Sequence, residues 1–265
     1  MLKKYLMLDN VVDIVRRASE LMLTDKFEIK SKHGIENIVT SSDVAVQRFL
    51  TQELSALLPG CGFIAEEDDV MNGAHEWVWI IDPIDGTANY SRGISDCCIS
   101  VALAHNGDLE LGVVYSPGRG EMFSARKGKG AFCNGKPIKV SQRDFRSGIM
   151  CTAMSTYNKQ WAKLCSDIIY DVFMESNDFR RFGSAALELC LMAAGYIELF
   201  FEMKLQPWDY AAGGFILLEA GGRITGFDGK LPPLDKPSII CAANCNESCE
   251  RLLDAIHRHL DAQPY

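Results

Sequence analysis

Apolar residues at the start of the chain recur at helical spacing. Over residues 5–24 they fall near the 3.6-residue period of an amphipathic helix. A second helix is predicted to begin at Ser41 or Ser42, either of which is a suitable N-cap, and to end at the Pro-Gly pair 59–60. Asp43 would then lie in the first turn of this second helix.

The sequence then changes to short, strongly apolar runs that are typical of strands. The predicted strands are 61–65, 77–82, 98–104 and 109–115. Asn106 and Gly107 supply a two-residue turn between the last two strands, which predicts a β-hairpin. Residues 117–140 are rich in glycine and lysine and indicate further hairpins without a long helix. We expect this part of the chain to form an antiparallel β region.

Helical spacing returns in the second half of the chain. We predict helices over 157–174, 184–194, 208–220 and 246–260, and strands over 196–201 and 238–243. Because helices and strands occur in clusters and do not strictly alternate, the pattern favours a layered α+β architecture. We expect a single domain over 1–265, with an N-terminal half of about 1–145 and a C-terminal half of about 146–265.

The net charge argues against a nucleic acid polymer as partner. The chain carries 35 Asp and Glu against 27 Lys and Arg, a formal net charge of -8, and it contains no basic run. Such a surface repels a phosphate backbone. No apolar run reaches the length of roughly 20 residues that a membrane-spanning helix needs, so we expect no membrane partner either.

The first residues and the cysteines bear on the cellular compartment. The apolar patch after the basic pair 3–4 ends at Asp9 and is shorter than the apolar core of a signal peptide. Ten cysteines without such a signal, several of them within apolar runs, indicate buried reduced thiols. Cys241, Cys245 and Cys249 are spaced by four, but we interpret them as small buried hydrophobes and not as a metal site. A cytoplasmic location is expected.

The segment WVWIIDPIDGTANY, residues 77–90, contains the most informative polar residues. Asp82 and Asp85 follow the predicted strand and are joined through a proline, whose fixed φ allows both carboxylates to face one point. The main-chain carbonyl of Ile84 lies between them. Hard oxygen ligands of these two kinds suit Mg2+, so this segment predicts a magnesium site.

Anion binding is predicted directly after this pair of carboxylates. Gly86 and Thr87 stand at the expected N-terminus of a short helix. Free N–H groups and the helix dipole at such a position favour an anion such as phosphate. A metal site and a phosphate site would then adjoin.

Two further acidic segments can complete the metal site. Glu66 ends the predicted strand 61–65, whereas Glu67 and its neighbours Asp68 and Asp69 are interpreted as solvated loop acids. Asp209 starts the predicted helix 208–220, where it can cap the helix and still offer an oxygen. Together with Asp82 and Asp85 these residues are expected to form a carboxylate cage.

Glu66, the motif DPIDGT at 82–87 and the pair WD at 208–209 resemble, in order and spacing, the signature of the inositol monophosphatase family. Similar segments extend over most of the chain. They are NIVTSSD at 37–43, GVVYSP at 112–117, ARKGKGAFCNG at 125–135 and EAGG at 219–222. The resemblance implies a layered αβαβα fold, hydrolysis of a small phosphate monoester with two to three Mg2+ ions, inhibition by lithium, and a homodimer.

The same resemblance implies roles for individual residues. Glu66, Asp82 and the Ile84 carbonyl resemble the ligands of a first metal, and Asp82, Asp85 and Asp209 those of a second. Glu66 resembles a ligand of a third. Thr87, supported by Asp43 and Glu66, would orient the attacking water, and the N–H groups of Gly86 and Thr87 would hold phosphate. Contacts to the sugar alcohol are implied for Asp85, Gly183, Ser184, Ala185, Glu202 and Asp209.

The substrate is less sharply indicated than the reaction. DGTANY and the spacing from Glu202 to Asp209 resemble the branch of the family that acts on myo-inositol monophosphate, which implies that ester as the leading substrate. The same scaffold serves 3'-phosphoadenosine 5'-phosphate, histidinol phosphate and fructose 1,6-bisphosphate, and a fold alone does not choose among them. A metal-binding scaffold without catalysis is a further alternative, although the expected catalytic carboxylates and Thr87 are all present.

Overall fold

The computed structural model describes residues 2–23, 27–31, 38–67, 75–156 and 158–260. For residues 2–6 and 31 the description covers the main chain and not the side chains. The helices are α1 Leu2–Ser19, α2 Ser41–Leu57, α3 Thr87–Tyr90, α4 Ala162–Glu175, α5 Ala185–Ala193, α6 Pro207–Glu219 and α7 Asn246–Leu260. The first seven strands are β1 Ile29–Ser31, β2 Ile38–Thr40, β3 Gly62–Ala65, β4 Trp77–Asp85, β5 Cys98–His105, β6 Asp108–Ser116 and β7 Glu121–Arg126. The others are β8 Ala131–Cys133, β9 Lys136–Ile138, β10 Ile149–Thr152, β11 Asp178–Arg180, β12 Leu199–Leu205, β13 Arg223–Thr225 and β14 Ser238–Ala243.

Two main sheets organise the described part of the chain. A seven-stranded sheet has the order β3-β4-β5-β6-β7-β8-β9, and only its first pair, β3 and β4, is parallel. A five-stranded sheet has the order β11-β10-β12-β14-β13, with parallel pairs on both sides of β10. β1 and β2 form a separate antiparallel pair. The two main sheets use separate stretches of sequence, which is why strands appear in clusters along the chain.

Helices cover both sheets in three layers. α1 and α2 pack on one face of the large sheet, and α5 and α6 lie between the two sheets. α4 and α7 cover the outer face of the small sheet. Side chains of β4 alternate between the two cores it borders: Trp79 and Ile81 enter the α1–α2 core and Ile80 the central core, as the period of a strand requires. The expected α+β fold with αβαβα layers is confirmed.

Several local expectations were wrong. β4 does not end at Asp82 but continues to Asp85, because a register shift against β5 accommodates the proline between them. Thr40, and not Ser41 or Ser42, is the N-cap of α2 and shares a capping box with Asp43. The backbone before α2 is already extended in β2, so the cap falls one residue earlier.

In the second half, the predicted strand 196–201 begins and ends too early, since β12 spans Leu199–Leu205. The helix predicted from 157 begins at Ala162 after a 3-10 turn, and residue 157 itself lies outside the described residues. The short strands β10, β11 and β13 were not predicted. Their lengths of three or four residues are too short to display an alternating pattern.

All ten cysteines are free thiols, and seven of them, including Cys241 and Cys249, are buried. Cys245, in contrast, is exposed, so its interpretation as a buried hydrophobe was wrong. Glu67 was expected to be a solvated loop acid, but it is only 8% exposed and its N–H donates to the side-chain oxygen of Gln47 at 2.9 Å. Asp68 lies outside the described residues, as does its neighbour Asp69. No helix in the described ranges is long and apolar enough to cross a membrane.

Candidate functional site

Parallel pairing of two strands brings Glu66 beside Asp82. Ala65, the last residue of β3, is opposite Ile81 of β4. The N–H of Glu66 continues the ladder by donating to the carbonyl of Ile81 at 3.3 Å. Since equivalent ends of parallel strands lie at one edge of a sheet, the two carboxylates that follow these residues come from neighbouring strands at the same edge.

The register of the next strand connects Asp82 to the start of α6. Asp82 is opposite Ser100 of β5, and the Ser100 hydroxyl donates to the carbonyl of Trp208 at 3.2 Å. Asp209 follows directly and is the third residue of α6, where one of its carboxylate oxygens accepts the N–H of Gln206 at 2.7 Å. Asp209 therefore caps its helix, as expected from the sequence, and faces the edge where Asp82 lies.

Asp85 is held by the segment that begins α5. Its Oδ2 accepts the hydroxyl of Ser184 and the N–H of Ala186, both at 2.7 Å. The carboxylate is 8% exposed, so these bonds replace much of the water that a free aspartate would have. The hydroxyl of Ser184 is thus committed to a carboxylate of the protein itself, and its predicted contact to the substrate stays a prediction.

Thr87 and Asp43 join α3 to α2. The Thr87 hydroxyl oxygen lies 3.3 Å from Oδ1 of Asp43 and 3.0 Å from the carbonyl oxygen of Ile84. The other oxygen of Asp43 accepts the N–H and hydroxyl of Thr40 at 2.8 and 2.5 Å. Asp43 is fully buried. The capping box therefore fixes the carboxylate that faces Thr87.

Gly86 stands at a position where the surrounding main chain leaves little room for a side chain. Its φ is 89°, a left-handed conformation that glycine adopts readily. A Cβ there would lie 3.1 Å from the carbonyl oxygen of Asp96 and 3.2 Å from that of Gly183. Both a backbone and a steric requirement therefore select glycine between Asp85 and Thr87.

Negative charge is concentrated at this edge. Burial raises the pKa of Asp82 well above its usual value, and the charges of neighbouring carboxylates raise it further. These neighbours are Glu66, Asp85, Asp209 and Asp43. Burial also raises the pKa of Asp209, and it raises that of Asp85 to about 6 against the hydrogen bonds that lower it. Five acidic side chains from four segments thus interact through their charges.

The donor set suits a hard divalent cation. Each of these groups offers an oxygen, and among the described residues no Lys, Arg or His forms an ion pair with Asp43, Asp82, Asp85 or Asp209. Burying several carboxylates close together is costly, and a bound cation relieves that cost. Within the described ranges, however, no three Asp, Glu, Cys or His side chains lie close enough together to hold a metal ion. The ligand roles assigned from the sequence stay predictions.

Glu202 lies within β12 and is half-buried. A register shift against β14 follows it, between Glu202 and Leu205, and such an irregularity redirects side chains. Burial raises the pKa of Glu202 well above its usual value, and the charges of Glu188 and Asp209 raise it further. These interactions link Glu202 electrostatically to the acidic edge, which is the sheet edge that carries Glu66, Asp82, Asp85 and Asp209. Glu202 itself belongs to the small sheet.

Two residues at the site were missed in the sequence. Glu188 accepts the N–H groups of Phe182 and Gly183, and Asn89 bridges the carbonyls of Phe182 and Asp96. A signal for Glu188 existed, since it is the one charged residue within the apolar run AALELCLMA of α5. Asn89 carries no comparable signal, because a polar residue in a short, partly exposed helix is ordinary.

Comparison with known proteins adds to this geometry. A sequence profile of the inositol monophosphatase family matches residues 5–261. The Nus factor SuhB of Escherichia coli strain K12 is 37% identical over 230 residues, which are 84% of this chain and 86% of that protein. Inositol monophosphatase 1 of Rattus norvegicus is 33% identical over 255 residues, which are 89% of each chain.

Solved structures match over nearly the whole length. The IMPase of Thermotoga maritima superposes with a TM-score of 0.86 at 30% identity and covers 96% of this chain and 98% of its own. An IMPase/NADP phosphatase complexed with Mg2+ and phosphate superposes with a TM-score of 0.81 at 26% identity. It covers 98% of this chain and 95% of its own. The likeness therefore includes every layer of the fold.

Proposed function

The chain belongs to the inositol monophosphatase family, and we propose that it hydrolyses small phosphate monoesters with Mg2+, with myo-inositol monophosphate as the leading substrate. One observation carries the proposal. The acidic cluster around Asp82 adjoins a Thr87–Asp43 pair that is able to orient a water. The solved relative complexed with Mg2+ and phosphate supports the choice of ion and of substrate class.

Two to three Mg2+ ions are proposed to bind at the acidic edge. Glu66, Asp82 and the carbonyl of Ile84 would hold one, and Asp85 and Asp209 would share a second with Asp82. Bound Mg2+ supplies charge neutralisation for the phosphate dianion and lowers the pKa of water. Asp82 is 2% exposed, and Ile84 is fully buried, so a cation there would be shielded from bulk solvent and held by directed oxygen atoms.

Thr87 is proposed to orient the attacking water. Its hydroxyl has one proton, which it donates to Asp43 or to the Ile84 carbonyl. A lone pair of its oxygen accepts a hydrogen bond from water, which directs an oxygen lone pair of that water towards phosphorus. As the water attacks, its proton would pass to Thr87 while Thr87 gives its own proton to Asp43. Asp43 acts through Thr87, because its other oxygen is fixed by Thr40. Proton transfer by a side chain positioned in this way typically accelerates a reaction by a factor of about 10² to 10⁴.

Phosphate is proposed to lie against the main-chain N–H groups of Gly86 and Thr87 at the start of α3. Glu202 would then accept hydrogen bonds from ring hydroxyls of the alcohol. The alternative substrates are 3'-phosphoadenosine 5'-phosphate, histidinol phosphate and fructose 1,6-bisphosphate. Each differs from inositol in the hydroxyls that Glu202 would meet, so relative kcat/KM values across these four esters test the assignment.

A homodimer is proposed on the basis of an apolar surface. Tyr170, Phe173 and Met174 are exposed on α4, and Phe179 is exposed on β11, the edge strand of the small sheet. The Phe173 and Phe179 rings pack with centroids 6.0 Å apart. Contiguous exposed apolar side chains beside a free strand edge favour association.

The charges of β11 fit a second copy of the chain. Asp178 and Arg180 flank Phe179, so an antiparallel two-fold pairing centred on Phe179 sets each Asp178 opposite an Arg180. Light scattering at micromolar concentration should give twice the chain mass, and Phe179→Asp should halve it. Leu231→Asp, at an exposed residue outside this surface, is the matched control. A monomeric wild-type mass would refute the dimer.

A second function is favoured by a specific comparison: a relative at 37% identity is called a Nus factor. A member of this family can therefore carry a name that does not describe phosphatase activity. For this chain, a non-catalytic scaffold would bind a protein partner with or without an intact acidic edge. Phosphate release from a panel of monoesters separates the two functions, because a scaffold releases none.

A further inference from the structure

Glu188 is a buried carboxylate that the proposed chemistry does not use. It lies on α5 with 1% exposure, and its Oε1 accepts two successive main-chain N–H groups, those of Phe182 at 2.7 Å and Gly183 at 3.0 Å. Its Oε2 is buried and has no hydrogen-bond partner among the described residues. An unpaired buried oxygen is costly, so the contribution of this carboxylate lies in the two bonds that its Oε1 accepts.

The peptide that Glu188 holds is also held from the opposite side. Asn89 donates one amide proton to the carbonyl of Phe182 at 2.6 Å and another to the carbonyl of Asp96 at 2.7 Å. Gly183 follows with a φ of 86°, and a Cβ on it would lie 3.2 Å from the side-chain nitrogen of Asn89. Glu188 and Asn89 thus clamp the segment Phe182–Gly183 between α5 and α3.

This clamped segment touches the candidate site at two points. The carbonyl oxygen of Gly183 lies 3.2 Å from the position that a Cβ of Gly86 would occupy. The next residue, Ser184, donates its hydroxyl to Asp85 at 2.7 Å. A displacement of Phe182 or Gly183 would therefore move both the wall beside Gly86 and the donor that orients Asp85.

We propose that Glu188 is a positioning residue that fixes the shape of the substrate-facing segment 182–184 by taking the two N–H groups of its left-handed turn. This inference rests on the proposed phosphatase function. It assigns the N–H groups of Phe182 and Gly183 to Glu188 and the carbonyl of Phe182 to Asn89. Burial raises the pKa of Glu188 to about 7, although the bonds from Gly183 and Phe182 lower it.

Substitution of Glu188 should change substrate affinity more than turnover. Glu188→Leu removes the acceptor, and we expect KM for myo-inositol monophosphate to rise by about tenfold while kcat at saturating Mg2+ falls by less than about threefold. Glu188→Gln keeps an amide oxygen for the same N–H groups and should restore KM to within about threefold of wild type. An unchanged KM in a folded Glu188→Leu protein would overturn the proposal.

Glu198 offers a matched control. It is also 1% exposed and accepts the N–H of Ile149 at 2.8 Å, but its other side-chain partners are Ser141 and Arg143, and it directly precedes β12. Glu198→Leu should therefore lower the melting temperature as Glu188→Leu does, and leave KM unchanged. Equal increases of KM in both variants would show a general loss of stability, and the positioning role would be wrong.

Hydrogen exchange tests the clamp without reference to activity. The amides of Phe182 and Gly183 should exchange slowly in the wild-type protein and faster in Glu188→Leu, but not in Glu198→Leu. If the wild type shows this protection but hydrolyses no monoester, the proposed function fails and the clamp stands. If Glu188→Leu does not fold, the wild-type exchange decides: exchange at these amides as fast as at Gly107 in the exposed hairpin turn would refute the clamp.

Discussion

The hydroxyl oxygen of Thr87 lies 3.3 Å from a carboxylate oxygen of Asp43, although the two residues are 44 positions apart in the chain. The capping box at the start of α2 fixes the carboxylate, and the turn after β4 fixes the hydroxyl. Two helix N-termini are thereby joined next to the acidic edge. The proposed reaction depends on this pair for the direction of its water.

Replacing Thr87 should affect turnover more than binding. Thr87→Ala removes the hydroxyl that would accept a hydrogen bond from the attacking water, and kcat should fall by a factor on the order of 10² or more. Thr87→Ser keeps the hydroxyl and should retain most of the rate. Steady-state kinetics of both variants provide the measurement. A change confined to KM would assign Thr87 to substrate binding.

Asp85→Asn and Asp209→Asn should each remove much of the rate while preserving the fold. The charges of both residues raise the pKa of Asp82, so removing one should leave the melting temperature of the metal-free protein unchanged or higher. Added Mg2+ should raise the melting temperature of the wild type and have less effect on either variant. A fully active Asp85→Asn protein would show that the ligand assignment is wrong.

Other cations should inhibit in characteristic ways. Ca2+ accepts a looser coordination geometry than Mg2+ and should displace the water from its line of attack, so it should inhibit in the presence of Mg2+. The family resemblance predicts inhibition by Li+ at the second metal position. Initial rates measured across titrations of both salts, with NaCl at equal ionic strength as control, test this. Rates that do not change with lithium would show that the lithium inhibition implied by the family resemblance does not apply to this protein.

Glu202 should select for polyol phosphates. A carboxylate that meets ring hydroxyls is left unpaired by a ligand that lacks them, and one charged hydrogen bond is worth roughly 1.5–3 kcal/mol. Glu202→Gln should lower kcat/KM for myo-inositol monophosphate by about tenfold to more than hundredfold and barely change hydrolysis of an aryl phosphate. Lys204→Ala, at an exposed residue of the same strand, is the control. Equal losses on both substrates would assign Glu202 to the metal site or the fold.

The layers of the fold were predictable because long elements carry their own periodicity. α2 and α6 showed helical spacing, and β5 and β6 were joined by an Asn-Gly turn. The proximity of Glu66, Asp82 and Asp209 followed from the family signature. Its physical origin, a parallel ladder between β3 and β4 and a bond from Ser100 to Trp208, appears only in the folded chain.

Long-range partners explain most of what was missed. β10 and β11 are strands of four and three residues that depend on neighbours far along the chain, so local sequence carries little information on them. The proline after Asp82 suggested that the strand ends there. A bulge in the pairing with β5 accommodates the proline, and β4 continues to Asp85. Glu188 was overlooked because the N–H groups that it accepts belong to a turn that only the fold presents to it.

The most direct test of the central claim is phosphate release from myo-inositol monophosphate by the purified wild-type protein, measured with Mg2+ and with excess EDTA. The acidic cluster around Asp82 predicts release with Mg2+, loss of release in EDTA, and recovery when Mg2+ is added back in excess. Release that continues unchanged in EDTA would contradict a magnesium-dependent reaction. The absence of release from this ester and from every alternative monoester with Mg2+ would contradict phosphatase activity itself.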